Sequence, residues 1–151
     1  MLRDEINASL KDAMKSQDKR RTSTLRLVNA ALKDRDIEAR GLGKPALGDD
    51  EILGLLQKMI KQRQESLDIY EKAGRIDLAT QEREEIEIIS TYLPKQMSED
   101  ETRTAIAAVV TEVSASGMKD MGRVMAALKE RFSGKMDFTK ASGVVKALLV
   151  A

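Results

Sequence analysis

A chain of 151 residues, 34% charged, 42% apolar and 3% aromatic, makes one domain or two small ones and buries roughly 70% of its unfolded surface. Its 26 basic and 25 acidic side chains leave a net charge of +1, and it holds neither cysteine nor histidine. Disulfides, thiolate and imidazole metal sites, Cys or His nucleophiles and Ser-His-Asp relays are thereby excluded. Any metal would have to sit on carboxylate oxygens, and any general base would be a carboxylate, lysine or tyrosine.

High charge, few aromatics, nine glycines and two prolines point to an all-α protein. Leu2, Ile6, Leu10 and Met14 draw one apolar line along a first helix, and Leu25, Val28, Ala31, Leu32 and Ile37 mark a second. Three glycines and a proline between Gly41 and Gly48 read as a mobile loop. The third helix is the longest. Gly48 or Asp49 caps it, Asp49, Asp50 and Glu51 suit the positive end of its dipole, and Gly74 closes it. Its apolar stripe is Ile52, Leu55, Leu56, Met59, Ile60, Leu67 and Tyr70. A fourth helix is expected from an Asp77 cap through Leu78, Ile86, Ile89 and Leu93 to Pro94, which pushes the preceding residue out of helical geometry.

Three more helices follow. Ser98-Glu-Asp-Glu101 is a capping box. Ile106, Val109, Val110 and Val113 form the stripe behind it, with Gly117 as its end. Met121, Val124, Met125, Leu128 and Phe132 define the sixth helix, closed by Ser133-Gly134, and Asp137 caps a seventh carrying Phe138, Ala141, Val144, Val145, Leu148 and Leu149. Residues 1–94 carry 17 basic and 18 acidic side chains, whereas residues 95–151 carry 9 and 7. The expected layout is an N-terminal helical domain of about four helices over 1–94 and a C-terminal three-helix bundle over 95–151.

The chain begins Met1, Leu2, Arg3, Asp4, Glu5, with no apolar targeting segment, and its longest uncharged stretch, Thr104 to Thr111, is far short of the ~20 residues that span a bilayer. A soluble, cytoplasmic protein without a membrane partner is expected. Gly41-Leu-Gly43-Lys44 lacks a phosphate loop's other landmarks, because Glu38 stands where a glycine is needed and Pro45 where Ser or Thr would bind magnesium. In the acidic fourth helix, Glu82 lies beside the apolar stripe and is expected to pair with Lys61 or Arg63, since a buried carboxylate needs a partner. No metal, no cofactor and no catalytic residue are expected. The candidate site is a basic surface on the C-terminal helices, formed by Lys119, Arg123 and Arg131 with Lys129, Lys135, Lys140 and Lys146 around them, suited to nucleic-acid phosphates. With Tyr70, Tyr92, Phe132 and Phe138 the only aromatics, base stacking is poorly served and sequence-specific reading of single strands is not expected.

One stretch is more specific. Lys58-Met-Ile-Lys-Gln-Arg-Gln-Glu-Ser-Leu-Asp-Ile-Tyr-Glu-Lys-Ala-Gly-Arg75, followed by Asp77-Leu-Ala-Thr-Gln-Glu82, Glu85-Ile-Glu-Ile-Ile and Tyr92-Leu-Pro-Lys-Gln96, resembles the YqeY (GatB/YqeY) family, as do Met118-Lys-Asp-Met-Gly-Arg-Val-Met125 and Asp137 with Val144-Val-Lys146. The sequence departs from that pattern at Gly48, where a Thr or Ser cap is usual, and in the Gly41–Gly48 loop. The resemblance implies an all-helical protein whose tail is similar to that of the B subunit of glutamine-dependent aminoacyl-tRNA amidotransferase and to domains appended to some glutaminyl-tRNA synthetases. It implies tRNA held by shape and backbone, with an amidotransferase or aminoacyl-tRNA synthetase as protein partner. A carbon–nitrogen ligase label would then describe the company the domain keeps. The alternative is a protein-interaction or oligomerisation module that docks through its third and fourth helices.

Overall fold

The structure, a computed structural model, describes residues 1–150. Among them every regular element is helical: α1 Leu2–Lys15, α2 Lys19–Gly41, α3 Asp49–Lys72, α4 Ile76–Ser90, α5 Glu99–Glu112, α6 Met121–Phe132 and α7 Phe138–Val150, with a 3-10 turn at Met118–Asp120 ahead of α6. The chain divides into two compact units, Met1–Pro94 with α1 to α4 and the remainder from Lys95 with α5 to α7.

In the first unit Leu2, Ile6, Leu25, Val28, Leu32, Ile52, Leu56 and Ile89 form the centre of the core. Met14, expected on the inner line of α1, is half exposed, and Ala13 takes the buried place. The cause is helical phase: at 3.6 residues per turn, twelve residues after Leu2 the side chain has rotated by about 120° from the line. Ile37 leaves the α2 stripe for the same reason and is exposed.

The glycine-rich segment after α2 is less free than its composition suggests. The Arg3 guanidinium makes a fork to Asp36, with NH1 2.8 Å from Oδ2 and NH2 3.0 Å from Oδ1, and NH2 also donates to the Leu47 carbonyl at 3.2 Å. The Leu47 N–H donates back to Asp36 Oδ1 at 3.0 Å, and the Leu47 side chain is buried. The Arg3 fork holds the Asp36 carboxyl below the usual carboxylate range. Gly48 then caps α3 with half of a capping box, its N–H donating to Glu51 Oε1 at 3.4 Å, because glycine has no hydroxyl to return the bond.

Gly74, at φ +71°, closes α3. The Arg75 N–H reaches the Tyr70 carbonyl at 2.9 Å and the Gly74 N–H the Glu71 carbonyl at 3.1 Å, the paired bonds of a Schellman turn. Arg75 thus finishes one helix and is already the N-cap of the next, so Asp77, expected as the cap, lies inside the first turn of α4. At the far end α4 stops at Ser90 rather than Leu93. Tyr92 and Leu93 fold back in i to i+3 bonds to Ile89 and Ser90 at 3.2 and 3.1 Å, consistent with Pro94 excluding helical geometry at the residue before it.

Salt bridges join these helices: Arg20 to Glu84 at 3.0 Å, Arg83 to Glu71 at 2.8 Å and Arg63 to Glu85 at 2.9 Å. The last pair is the buried one. Glu85 is 5% exposed. It accepts from Arg63 Nε and, at 3.2 Å, from Gln81 Nε2, while Arg63 NH1 donates to the Met59 carbonyl at 3.2 Å. The expected basic partner is correct but the acid is not: Glu85, one turn before the fully buried Ile89, takes the guanidinium, and Glu82 remains half-buried beside it. Burial pushes the Glu82 carboxyl up, and repulsion from Glu85 adds to this. Among the described residues no group of three or more acidic side chains could hold a metal ion, and no helix is long and apolar enough to cross a membrane.

The second unit packs Ile106, Val109, Val124, Leu128, Ala141, Val145 and Leu149 around Met136, which lies in the connection between α6 and α7 and is buried. The Ser98–Glu101 capping box is formed, with both bonds at 3.1 Å. Asp137 Oδ1 accepts from the Thr139 and Lys140 N–H groups at 2.9 and 3.3 Å and caps α7. Leu148, expected on the inner stripe, is exposed, while Leu149 is buried. Gly117 does not end α5. Ser114 does, at φ +55°, and Gly117 is extended.

Two outcomes test this packing. Arg63→Met alone should cost the first unit about 3–5 kcal/mol, because it strands a buried carboxylate, whereas Arg63→Met with Glu85→Leu should recover most of the loss. Urea unfolding of the single and double variants measures both. Glu82→Gln should raise the thermal midpoint at neutral pH. The folded protein holds the Glu82 proton more tightly than the unfolded chain does, so stability falls as pH rises through the raised value, and the gain should vanish in acid where Glu82 is protonated in both states.

Candidate nucleic-acid interface

The cations singled out in the sequence fall into two sets. Arg123 and Arg131 are committed to the fold of the second unit. In the first turn of α6, Arg123 donates from NH1 to the Val113 carbonyl at 2.6 Å and from NH2 to Asp120 Oδ1 at 2.9 Å. It thereby satisfies a carbonyl left open where α5 ends. Asp120 Oδ2 in turn accepts from the Ser116 N–H at 2.9 Å, so one carboxylate and one guanidinium brace the whole connection between α5 and α6. These bonds, the Ser116 amide foremost and then Arg123, hold the Asp120 carboxyl below its ordinary range. Arg131, in the last turn of α6, makes a bidentate fork to Glu112 of α5, with NH2 3.1 Å from Oε1 and NH1 on Oε2.

The lysines form the other set. Lys119, Lys129, Lys135, Lys140 and Lys146 are all exposed. Lys119 sits in the 3-10 turn, Lys129 on α6, Lys135 in the α6–α7 connection, and Lys140 and Lys146 on α7. Two of them are gathered at one site. Lys135 and Lys140 line a cleft of about 250 Å³ with Arg103 of α5, and Met97, Thr102 and Val144 are further parts of its wall. Main-chain geometry builds the cleft. The Met97 N–H donates to the Lys135 carbonyl at 2.9 Å, and Gln96 Nε2 donates to the Gly134 carbonyl at 2.6 Å, tying the approach to α5 onto the connection between α6 and α7. The first turns of α5 and α7 therefore lie side by side, and the side chains of Arg103 and Lys140 share one rim.

Arg103 is the residue that charge counting missed. It lies two residues after the acidic run Glu99-Asp-Glu101, so a linear reading sees a helix start balanced by its dipole rather than a cation facing another helix. Val144 was legible as an apolar position of α7 but not as a cleft wall, and Met97 carried no signal in the sequence. Glu99 and Asp137 also line the cleft, so its charge is mixed, with three cations against two carboxylates.

The brace between α5 and α6 gives a pH dependence with a definite sign. Asp120 has a folded-state pKa below its unfolded one, so its contribution is present above the unfolded value and is lost as pH falls through the depressed one. The second unit should therefore lose stability in acid, and Asp120→Asn should lower the midpoint at neutral pH while flattening that acid limb. Thermal melts of the two proteins across the acid range compare the slopes.

An uncharacterized protein of Schizosaccharomyces pombe is 33% identical over 93 residues, which is 62% of this chain and 72% of that protein. Proteins named "Altered inheritance of mitochondria protein 41, mitochondrial" match at 30% identity in Pyrenophora tritici-repentis, covering 83% of this chain and 70% of the relative. In Lachancea thermotolerans the match is 35%, covering 74% and 59%. The family model described as Yqey-like protein matches residues 3–149, which takes in both units and nearly every element described above. The chain belongs to the YqeY-like family.

Proposed function

We propose that this protein is a non-catalytic tRNA-binding accessory factor of the cytoplasm, whose C-terminal unit holds the phosphate backbone beside a tRNA-dependent amidotransferase or an aminoacyl-tRNA synthetase. The observation that supports the reading most is the convergence of Arg103, Lys135 and Lys140 on one cleft. These cations come from three segments, and the cleft lies outside the core of the unit. Fixed cations spaced along a surface neutralise successive phosphates and position an RNA without reading its sequence. The reading differs in one respect from the linear one. Arg123 and Arg131, engaged with Asp120 and Glu112, serve the fold first, and the lysines with Arg103 carry the contact.

A second reading has an observation of its own. Ile69 and Ile76, on either side of the Gly74 turn, are 65% and 78% exposed, and an exposed apolar pair at a hairpin tip suits a protein partner. Docking through α3 and α4 would leave the C-terminal cations without a role.

Binding of purified tRNA, followed by fluorescence anisotropy as a function of salt, separates the two. Three phosphate contacts should give a log-log slope of roughly −2 to −3, at about −0.9 per contact. Lys135→Glu with Lys140→Glu should weaken all tRNAs alike and leave the circular dichroism spectrum unchanged. A folded double variant that binds tRNA as tightly as the parent would leave α3 and α4 as the surface to pursue.

A further inference from the structure

The cleft between the first turns of α5 and α7 has a shape that backbone binding alone does not need. Phosphates of a duplex lie on a convex surface and are met by exposed cations on an equally open face. A recess of about 250 Å³ with Met97 and Val144 in its wall offers a duplex nothing. Its volume falls below the ~300–1,000 Å³ of sites that take drug-sized ligands, a size that suits a single ring system.

We propose that this cleft receives a single unpaired nucleotide of the bound RNA, with the base against Met97 and Val144 and the flanking phosphates on Arg103, Lys135 and Lys140. This rests on the RNA reading above and adds which part of the RNA is recognised: an unstacked residue in a loop or at an end. No aromatic side chain lines the cleft. The base is therefore held by apolar contact and by the plane of the Arg103 guanidinium, a surface that RNA-binding proteins use in place of an aromatic ring. Such contacts tolerate several bases.

The carboxylates decide between an RNA and an acidic peptide. Glu99 and Asp137 share the cleft with the three cations, and they would repel the side chains of an acidic partner. A nucleobase turns the Glu99 carboxylate to use, because an exocyclic amino group donates to a carboxylate, while Asp137 is engaged as the cap of α7. Cations for the phosphates and an acceptor for the base edge in one recess match a nucleotide, which brings the amino donor that the side chains of an acidic peptide lack.

The test fills the cleft without altering its charge. Thr102→Tyr places a ring inside it and keeps Arg103, Lys135 and Lys140, and Val144→Phe does the same from α7, with circular dichroism checking that each variant folds. The probes are a labelled short oligoadenylate, a blunt-ended RNA duplex and an acidic peptide of alternating glutamate and leucine. The parent should bind the oligoadenylate in competition with tRNA. A folded filling variant should lose roughly tenfold in oligoadenylate affinity, equivalent to about 1.4 kcal/mol, and keep its duplex affinity. Unchanged oligoadenylate binding by both folded variants overturns the cleft assignment and leaves backbone binding intact, provided that tRNA still binds with its salt slope. Peptide binding that the variants abolish, with no oligoadenylate binding, overturns it in favour of a protein ligand. A parent that binds no RNA at all overturns both the assignment and the function it rests on.

Discussion

The arginine–carboxylate ion pair between helices is the interaction on which this structure rests. A third of the residues are charged, and helices that pack with so much charge must place some of it where water is thin. Guanidinium is the suitable group, since its planar donors match a carboxylate and its weak hydration makes burial less costly than for an ammonium. Arg3 closes on Asp36, Arg63 on Glu85, and Arg131 on Glu112. The Arg3 and Arg131 contacts are bidentate forks, Arg63 meets Glu85 through Nε alone, and each pair joins two helices. The buried Arg63–Glu85 pair is weak evidence for stability in itself, but losing either member would be severe. The pair therefore constrains how α3 and α4 are matched more than it strengthens their contact.

That use of arginine shapes the surface. In the second unit Arg123 and Arg131 are engaged within the fold, and Lys119, Lys129, Lys135, Lys140 and Lys146 stand outside it. Lysine suits this role, being a strongly hydrated point charge on a flexible stem that meets a phosphate without demanding one geometry. Arg103 is the exception, an arginine on the rim of a cleft. Unequal chemistry between the two basic residue types thus divides structural charge from charge available to a ligand.

Turn geometry sets where the helices begin and end, and the cleft depends on it. The Schellman turn at Gly74 lets Arg75 end α3 and start α4 without a linker. At the end of α5 a serine takes the left-handed conformation, strain that an L side chain accepts at some cost, and the Asp120–Arg123 brace holds the connection that follows. The Met97–Lys135 main-chain bond and the Gln96 bond to the Gly134 carbonyl then tie the lead into α5 to the α6–α7 connection, beside the recess.

Much of this was legible in the residues alone. Helical class follows from composition and from apolar spacing near 3.6, which is a local property of the chain. The Ser98 capping box, the Asp137 cap and the closure at Gly74 were readable because each satisfies backbone groups within a few residues of itself. Family membership was readable because the signatures lie in continuous stretches. Other features required the folded chain. Whether Glu82 or Glu85 meets Arg63 depends on the rotational phase of α4 against α3, and both acids lie close enough to the stripe to serve. The loop before Gly48 looks free until Arg3, more than thirty positions from Asp36 in sequence, fastens Leu47. Arg123 and Arg131 look like ligand-binding cations until the C-terminal end of α5 is placed beside them, and Arg103 looks like part of a balanced helix start until α7 faces it. A sequence specifies each helix and its ends because those interactions span one turn. The partner of a charge is decided across helices, where an error of one residue rotates a side chain by about 100° and exchanges one neighbour for another.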